Sequence, residues 1–242
     1  MRLEHQVALI TGASHGLGLA IARSLSLEGA SVACVARPGP ELERAVAELR
    51  ATGAQALAAP ADVTRADEIE RAVQATLEQW GRLDIVVVNA GTWKGAPLVE
   101  TSEALWDQLI DLNLKGAFLT LKSTLPWLVE RRRGTIVGIA SIGAWVGLAN
   151  ASAYAASKWG MRGLLESVAL EAKPHGIRVS IVSPHNMNSG GRAIAPGSEE
   201  WLHHLEPAEV AALVTFVCTA PDHVSVGNVT VWPVGAGLVS QG

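Results

Sequence analysis

Short apolar runs alternate with longer amphipathic segments along the whole chain. Seven runs are rich in Val, Ile or Ala and apolar on both faces, which is typical of strands covered by helices on two sides. The predicted strands are residues 7–10, 31–36, 54–59, 85–88, 135–140, 178–182 and 228–231. Helical periodicity predicts helices over residues 17–27, 41–50, 67–80, 103–130, 154–173 and 207–219. This alternation predicts an α/β fold, a doubly wound parallel sheet of about seven strands with helices on both faces.

Local signals mark the ends of several predicted helices. Thr64 and Ser102 stand at N-cap positions, where a hydroxyl can accept from free N–H groups of the first turn. Pro126 is expected to bend the 103–130 helix or to end its regular part. Glycine commonly follows a helix in the left-handed conformation. It does so here at Gly29, Gly53, Gly81 and Gly176.

The 242 residues contain no linker, repeat or low-complexity tract, so a single domain over residues 1–242 is expected. The loosest stretch, residues 185–198, is rich in Asn, Gly, Ser and Pro. It predicts a loop over the carboxyl edge of the sheet, where ligands of doubly wound sheets bind. We therefore expect residues 185–206 to form a short substrate lid.

Composition narrows the function classes. With 49% hydrophobic and 17% charged residues, the chain can form a large core, and a net charge of −4 argues against nucleic-acid binding. The basic run at residues 131–133 is better explained as a helix end. Cys34 and Cys218 make neither a disulfide framework nor a metal site, and they fit a reducing cytoplasm. With no evident signal peptide or membrane-spanning run, a soluble cytoplasmic protein is expected.

The most distinctive chemistry surrounds the only tyrosine of the chain. Tyr154 and Lys158 are four residues apart and would share one face of a helix, while Ser141 follows the preceding strand. A free tyrosine has a pKa of about 10, and a neighbouring ammonium lowers it. Together the three side chains can move a proton and hold the oxygen that receives it. The spacing alone also fits an ordinary helix.

A glycine-rich turn joins the first predicted strand to the first helix. Glycines allow close approach of a ligand, and the helix N-terminus offers free N–H groups to a pyrophosphate. A glycine-rich sequence on its own could form only a turn. Between the first strand and the first helix of an alternating α/β chain, it predicts a binding site for the pyrophosphate of a dinucleotide, here called the cradle. The predicted contacts are Gly12, Ser14, His15, Gly16, Leu17 and Gly18.

The ends of the next strands add candidate cofactor contacts. Arg37 ends the second strand, where an arginine accommodates a ribose 2′-phosphate and a carboxylate would bind a 2′-hydroxyl. It favours NADP(H) over NAD(H), unless it merely faces solvent. Asp62 and Val63 are placed for the adenine edge, although Asp62 could instead cap the next helix. The fourth strand ends in small residues that let a cofactor approach, or that form a plain turn: Asn89, Ala90 and Gly91.

With these motifs assembled, the sequence resembles the short-chain dehydrogenase/reductase family over essentially its full length. It looks most like compact Rossmann-fold reductases related to 3-oxoacyl-carrier-protein reductase and to secondary-alcohol dehydrogenases. The resemblance rests on residues 11–18 and 89–91 together with Asn113, Ser141, Tyr154 and Lys158.

The resemblance implies a role for each matched side chain. Tyr154 would be the general acid in carbonyl reduction and the base in alcohol oxidation. Lys158 would lower the pKa of the tyrosine and hold the nicotinamide ribose, and Ser141 would bind the substrate oxygen. Asn113 would position a water for proton relay, whereas without the resemblance it is an ordinary polar helix residue.

Three segments depart from the family pattern. Pro184, expected at the cofactor, is followed by His185 where glycine is common, and the usual threonine is not evident up to Ser189. The connection to the last helix is short. The last strand continues into Trp232 and Pro233, where Asp-Gly-Gly is frequent. The contacts of these segments with a cofactor therefore stay open.

Eight tryptophans are many beside two phenylalanines. Trp93, Trp145 and Trp201 fall near the predicted site, with His185 close by in sequence. They predict a pocket with aromatic walls for an apolar or aromatic ketone or alcohol. Core packing is the alternative for each tryptophan, and simple solvation is the alternative for the histidine.

The leading prediction is an oxidoreductase that transfers a hydride between NADP(H) and a carbonyl or secondary alcohol. One alternative is an NAD(H)-linked alcohol dehydrogenase working mainly in oxidation. Another is a non-catalytic cofactor-binding scaffold, which would not need Ser141, Tyr154 and Lys158 together. The family resemblance and two long apolar helices also predict a homo-oligomer, a dimer or a tetramer.

Overall fold

Seven parallel strands form the centre of the computed structural model, which describes residues 1–188 and 194–236. The strands are β1 (Val7–Thr11), β2 (Ser31–Ala36), β3 (Ala56–Pro60), β4 (Ile85–Val88), β5 (Gly134–Ile139), β6 (Ile177–Pro184) and β7 (Asn228–Val231). Their order is β3-β2-β1-β4-β5-β6-β7. The order reverses between β1 and β4, which is where doubly wound sheets bind ligands. The predicted fold class is confirmed.

Helices cover both faces of this sheet. They are α1 (Gly16–Leu27), α2 (Pro40–Ala51), α3 (Ala66–Trp80), α4 (Glu103–Ile110), α5 (Gly116–Arg131), α6 (Ser152–Ala172) and α7 (Pro207–Thr219). Alternate residues of each strand enter different cores: Ala8 and Ile10 pack with α1, α2 and α7, whereas Leu9 packs with α3, α5 and α6. Burial on both faces explains why the central strands β1, β4 and β5 have continuous apolar sequences.

The helix predicted over residues 103–130 is continuous from Glu103 to Arg131, but it is not a regular α-helix throughout. A π-helical turn, Asp111–Lys115, separates α4 from α5, and Asn113 within it is fully buried. In this turn the Asn113 amide is hydrogen-bonded in the interior. These bonds stabilise the π-helical geometry, and sequence periodicity does not reveal them. Pro126 does not end α5, which continues to Arg131.

The predicted helix caps have mixed outcomes. Ser102 caps α4 as expected, and its hydroxyl accepts from the Leu105 N–H at 3.1 Å. Thr64 does not cap α3, because its N–H and hydroxyl both donate to Asp62 Oδ1 and the helix begins one residue later. The four glycines predicted after helices all have positive φ angles. Within the described ranges, no helix is both long and apolar enough to cross a bilayer.

Candidate active site

The glycine-rich turn between β1 and α1 leaves an open backbone cradle. A Cβ on Gly18 would lie 2.1 Å from the Gly12 carbonyl oxygen, so the turn requires glycine there. A Cβ on Gly16 would meet no described atom within 4 Å. His15 precedes α1 without a side-chain cap among the described residues. The first N–H groups of α1 therefore face open space, which fits the pyrophosphate of a dinucleotide.

The other predicted residues of this turn contribute in different ways. The Leu17 side chain belongs to the core, so only its backbone can face a ligand. The Ser14 hydroxyl and His15 Nδ1 are 2.9 Å apart at the surface. Both polar side chains stand at the outer edge of the cradle.

The end of β4 is tied to this turn. Asn89 Nδ2 donates to the carbonyl oxygens of Thr11 at 2.8 Å and Gly12 at 3.4 Å. The N–H groups of Asn89 and Ala90 both donate to the Thr11 hydroxyl. The prediction that Asn89 links neighbouring strands is confirmed.

Arg37 and Asp62 lie at the outer part of the same edge. Arg37 is exposed directly after β2, and Asp62 follows the neighbouring strand β3. Partial burial acts to raise the pKa of Asp62, but hydrogen bonds from Thr64 and the charges of Arg37 and Arg65 together lower it. Asp62 is therefore an anion that orders its own turn. The Val63 side chain is buried, with Cγ2 2.7 Å from where a Gly116 Cβ would stand.

Ser141 and Tyr154 meet across Gly143. Ser141 begins a short 3₁₀ turn, Ile142–Ala144, and its hydroxyl accepts from the Gly143 N–H at 3.1 Å. A Cβ on Gly143 would lie 3.3 Å from Tyr154 Cε1 and 3.6 Å from Ser141 Oγ. Burial raises the pKa of Tyr154 above its usual value of 10, and a hydrogen bond with Ser141 acts in the opposite direction.

Lys158 is buried one helical turn after Tyr154. Its Nζ donates to the Ile139 carbonyl at 3.0 Å and lies 3.5 Å from where a Gly91 Cβ would stand. Burial lowers the pKa of Lys158 to about 8. The structure thus raises the pKa of Tyr154, with burial as the largest cause and without a contribution from the Lys158 charge, so the expected lowering by this ammonium stays a prediction.

Asn113 connects the loop after β4 to α6. Its Oδ1 accepts from the Thr92 N–H at 2.8 Å, and its Nδ2 donates to the Thr92 carbonyl and to Ser157 Oγ, each at 3.0 Å. Ser157 Oγ in turn donates to the Tyr154 carbonyl at 2.7 Å. The side chain thus serves protein contacts, and its expected role toward a water stays a prediction. Sequence reasoning missed Thr92 and Ser157: Thr92 lies in the loop after β4, and the only signal at Ser157 was a polar residue in a helical pattern.

The three tryptophans predicted to line the pocket have different surroundings. Trp93 is 62% exposed. Trp145 is half-buried, with its Nε1–H on Ser183 Oγ at 3.0 Å and the Arg162 guanidinium over its ring at 3.6 Å. Trp201 donates from Nε1 to Glu206 at 3.1 Å. Each indole has its own local partner or faces water, which pattern and spacing could not reveal.

Two departures from the family pattern are joined in space. The His185 ring stacks on Trp232 with centroids 4.7 Å apart and an interplanar angle of 26°. Its Nδ1 is buried without a hydrogen-bond partner in the described part of the chain. Burial, and to a lesser extent the charge of His204, lowers the pKa of His185. His185 is therefore packed as a neutral ring rather than simply solvated.

The two ends of the predicted lid are paired at its base. The Leu205 N–H donates to the Asn186 carbonyl, and the Asn188 N–H donates to the Leu205 carbonyl, both at 2.8 Å. Asn188 Nδ2 also reaches Glu206 at 2.9 Å. Pro184 ends β6 beside Val231. Residues 189–193 of the predicted lid lie outside the described residues. The departure from the family pattern noted up to Ser189 therefore lies partly outside them too.

A hollow of about 390 Å³ lies at the opposite, amino edge of the sheet, between the end of α2 and β3. Arg50 and Trp80 are among the residues that line it, and it contains no predicted site residue. We assign the site from the convergence of side chains at the carboxyl edge, because the size of a hollow alone carries no chemistry.

The chain is similar to known short-chain dehydrogenases. The model of the short chain dehydrogenase family matches residues 6–195. An uncharacterized oxidoreductase of Bacillus subtilis is 41% identical over 183 residues, 75% of this chain and 71% of that protein. A metagenomic short-chain oxidoreductase, solved with NADP, has 37% identity and a TM-score of 0.84, covering 96% of this chain and 99% of its own. An alcohol dehydrogenase of Thermococcus sibiricus, solved with 5-hydroxy-NADP, has 31% identity and a TM-score of 0.87, covering 96% and 97%.

Proposed function

The chain belongs to the short-chain dehydrogenase/reductase family and is an oxidoreductase, and from this we propose that it transfers a hydride between NADP(H) and a carbonyl or secondary-alcohol substrate. The observation that carries the proposal is the meeting of Ser141, Tyr154 and Lys158 beside Gly91 and Gly143 at the carboxyl edge of the sheet. Lys158 lies next to Gly91, in the segment after β4 that is hydrogen-bonded to the glycine-rich turn.

The protein groups act on the substrate oxygen. Bound nicotinamide supplies or accepts the hydride. Tyr154 donates its phenolic proton to the oxygen in reduction, and the raised pKa keeps that proton in place at neutral pH. The Ser141 hydroxyl holds the same oxygen. Lys158, next to Gly91, serves as a donor to ribose hydroxyls.

The choice of NADP(H) rests mainly on Arg37. Its exposed guanidinium follows β2, and the Ser14–His15 pair adds polar groups at the outer edge of the cradle. An arginine binds a phosphate through several charged N–H groups. The uncharged 2′-hydroxyl of NAD(H) gains much less from such a partner. The two solved relatives with NADP or a hydroxy-NADP agree with this choice.

Kinetics with both cofactors test the cofactor proposal. We expect wild-type protein to have a higher kcat/KM with NADPH than with NADH. Arg37→Ala should lower the NADPH value by about tenfold or more, since a charged hydrogen bond contributes about 1.5–3 kcal/mol, and should leave the NADH value nearly unchanged. Arg44→Ala, an exposed arginine on α2, is the matched control. A wild-type preference for NADH would refute this reading of Arg37.

The substrate class is the least constrained part of the proposal. We infer an apolar or aromatic ketone or alcohol, because Trp93 and Trp145 adjoin the segments of Gly91 and Ser141 in sequence. Residues 185–188 and 194–206 supply the base of a lid over this edge. A panel of ketones and alcohols with both cofactors is the direct test. Tight NADPH binding without turnover of any panel member would favour the non-catalytic scaffold.

A further inference from the structure

We propose that Arg162 is a positioning residue for the reaction, which fixes the Ser141 turn against the helix that carries Tyr154. The inference rests on the proposed function, because it concerns the geometry of the same site. Arg162 is one helical turn after Lys158 on α6 and therefore lies on the same side of that helix. Its side chain is only 22% exposed.

Arg162 contacts the last residue of the Ser141 turn and the residue that follows it. The guanidinium carbon lies 3.6 Å from the centroid of the Trp145 ring, and Nη1 donates to the Ala144 carbonyl at 3.3 Å. Stacking on the ring and hydrogen bonding to the backbone use different parts of one planar group. Lysine would keep the charge but could not make both contacts in this geometry.

Trp145 is hydrogen-bonded to the Ser141 turn and to β6. Its backbone N–H donates to the Ile142 carbonyl at 2.9 Å, within the turn that Ser141 begins. Its Nε1–H donates to Ser183 Oγ at 3.0 Å, near the end of β6. The indole is thus held from α6 on one face and from β6 at its edge, so the turn cannot shift without breaking one of these contacts.

The guanidinium is itself oriented from outside the site. Arg162 Nε donates to Glu166 Oε1 at 2.9 Å, and the same oxygen accepts from Asn228 Nδ2 of β7 at 3.0 Å. The contacts form a continuous chain from β7 through α6 to the Ser141 turn. Ser141 and Tyr154 must face the same substrate oxygen, so a relative shift of the turn and α6 would slow the reaction.

Three variants separate the contacts. Arg162→Met keeps side-chain length without charge, Arg162→Lys keeps the charge without the planar group, and Trp145→Phe keeps a ring without the N–H. Arg71→Met is the control, because exposed Arg71 also makes an i,i+4 ion pair, in the reverse order with Asp67 at 2.9 Å on α3. Steady-state kinetics of ketone reduction with NADPH are measured below the unfolding temperature of every variant.

We expect Arg162→Met to lower kcat by about tenfold to a hundredfold, as misplacement of reacting groups does. The KM for NADPH should change by less than about threefold, because the glycine cradle is untouched. Arg162→Lys should recover part of kcat, and Arg71→Met should match wild type. The double variant Arg162→Met/Trp145→Phe should be no slower than the slower single variant, since both act through one contact.

A measurement independent of turnover follows the indole directly. In ¹⁵N-tryptophan spectra, the Trp145 indole signal is assigned by its loss in Trp145→Phe. Its hydrogen exchange should be slow in wild type and Arg71→Met and faster in Arg162→Met. The inference is wrong if Arg162→Met keeps kcat within twofold, if the losses of the single variants multiply, or if kcat falls only with the folded fraction. A wild type that turns over no ketone or alcohol would instead refute the proposed function.

Discussion

Burial shifts the two ionisable groups of the site in opposite directions, and both shifts favour the neutral form. The pKa of Tyr154 is raised and that of Lys158 is lowered to about 8. A neutral phenol is ready to donate a proton, as carbonyl reduction requires. For alcohol oxidation the phenol must first ionise, which needs additional positive charge close by. At the residue scale, the proposed mechanism therefore starts from a neutral phenol.

Replacement of the phenol tests this assignment. Tyr154→Phe removes one hydroxyl and keeps the ring that packs beside Gly143. We expect ketone reduction to fall at least about a hundredfold, within the usual contribution of general acid catalysis, while the dissociation constant for NADPH stays within about threefold. Fluorescence titration measures binding, and absorbance of NADPH measures turnover. Ser167→Ala, an exposed hydroxyl on the same helix, should change neither. Near-full activity of Tyr154→Phe would exclude this mechanism.

The buried lysine should lower stability in a pH-dependent way. In the unfolded chain the Lys158 ammonium keeps its proton up to a pH of about 10.5, whereas in the folded chain it loses that proton above about pH 8. Below pH 8 both states are protonated and the full penalty applies, about 3 kcal/mol of unfolding free energy. The penalty shrinks as the pH rises from 8 to 10.5.

Lys158→Met should therefore be inactive but more stable than wild type at pH 7. Loss of the hydrogen bond to Ile139 offsets about 1 kcal/mol, which leaves a gain of about 2 kcal/mol. Urea unfolding at pH 7, 8, 9 and 10 should show this gain decreasing with pH. Lys122→Met, at an exposed position on α5, controls for general loss of charge. A variant less stable than wild type at pH 7 would show that the ammonium is better solvated than its burial indicates.

At the element scale, the turn from β1 to α1 combines two different requirements for glycine. Gly18 is required by packing, because a Cβ would strike the Gly12 carbonyl at 2.1 Å. Gly16 is required by its backbone, with φ at +54°, while its side-chain position is open toward the cradle. Alanine at these two positions should therefore give different defects.

Gly18→Ala should lose stability strongly, whereas Gly16→Ala should lose about 1–2 kcal/mol from its left-handed backbone. In Gly16→Ala the new methyl group occupies the space that faces the helix N-terminus, so NADPH affinity should fall by about tenfold or more, as expected when backbone approach is blocked. Thermal unfolding and NADPH titration of both variants make the comparison. Equal losses of stability and affinity in the two variants would contradict this division of roles.

The π-helical turn shows where prediction from sequence stops. The strands could be predicted because burial on both faces leaves continuous apolar runs. Tyr154 and Lys158 could be placed on one helix face because their spacing is local, whereas the role of Ser141 came from the family resemblance. The turn at Asn113 could not be predicted, because it depends on bonds to Thr92, 21 residues away, and to Ser157, 44 residues away. The stacking of Arg162 on Trp145 and of His185 on Trp232 depends on tertiary contact in the same way.

At the scale of the whole molecule, large apolar side chains remain exposed on the helices beside the site. Those on α4, α5 and α6 are Trp106, Phe118, Trp127, Trp159 and Leu170. Contiguous exposed apolar surface commonly marks an interface. We therefore keep the proposal of a homo-oligomer and expect its interface to include α4 and α5.

Phe118→Glu tests the assembly, because Phe118 is 44% exposed on α5. Covering a phenylalanine in an interface contributes about 1.5–3 kcal/mol, and an unpaired carboxylate in its place opposes association. Sedimentation equilibrium at several protein concentrations should give a dimer or tetramer for wild type and a smaller species for the variant. Leu27→Glu, exposed at the end of α1, should keep the wild-type mass. A wild type that is monomeric at every concentration would end the proposal, and an unchanged mass for Phe118→Glu would place the interface on another surface.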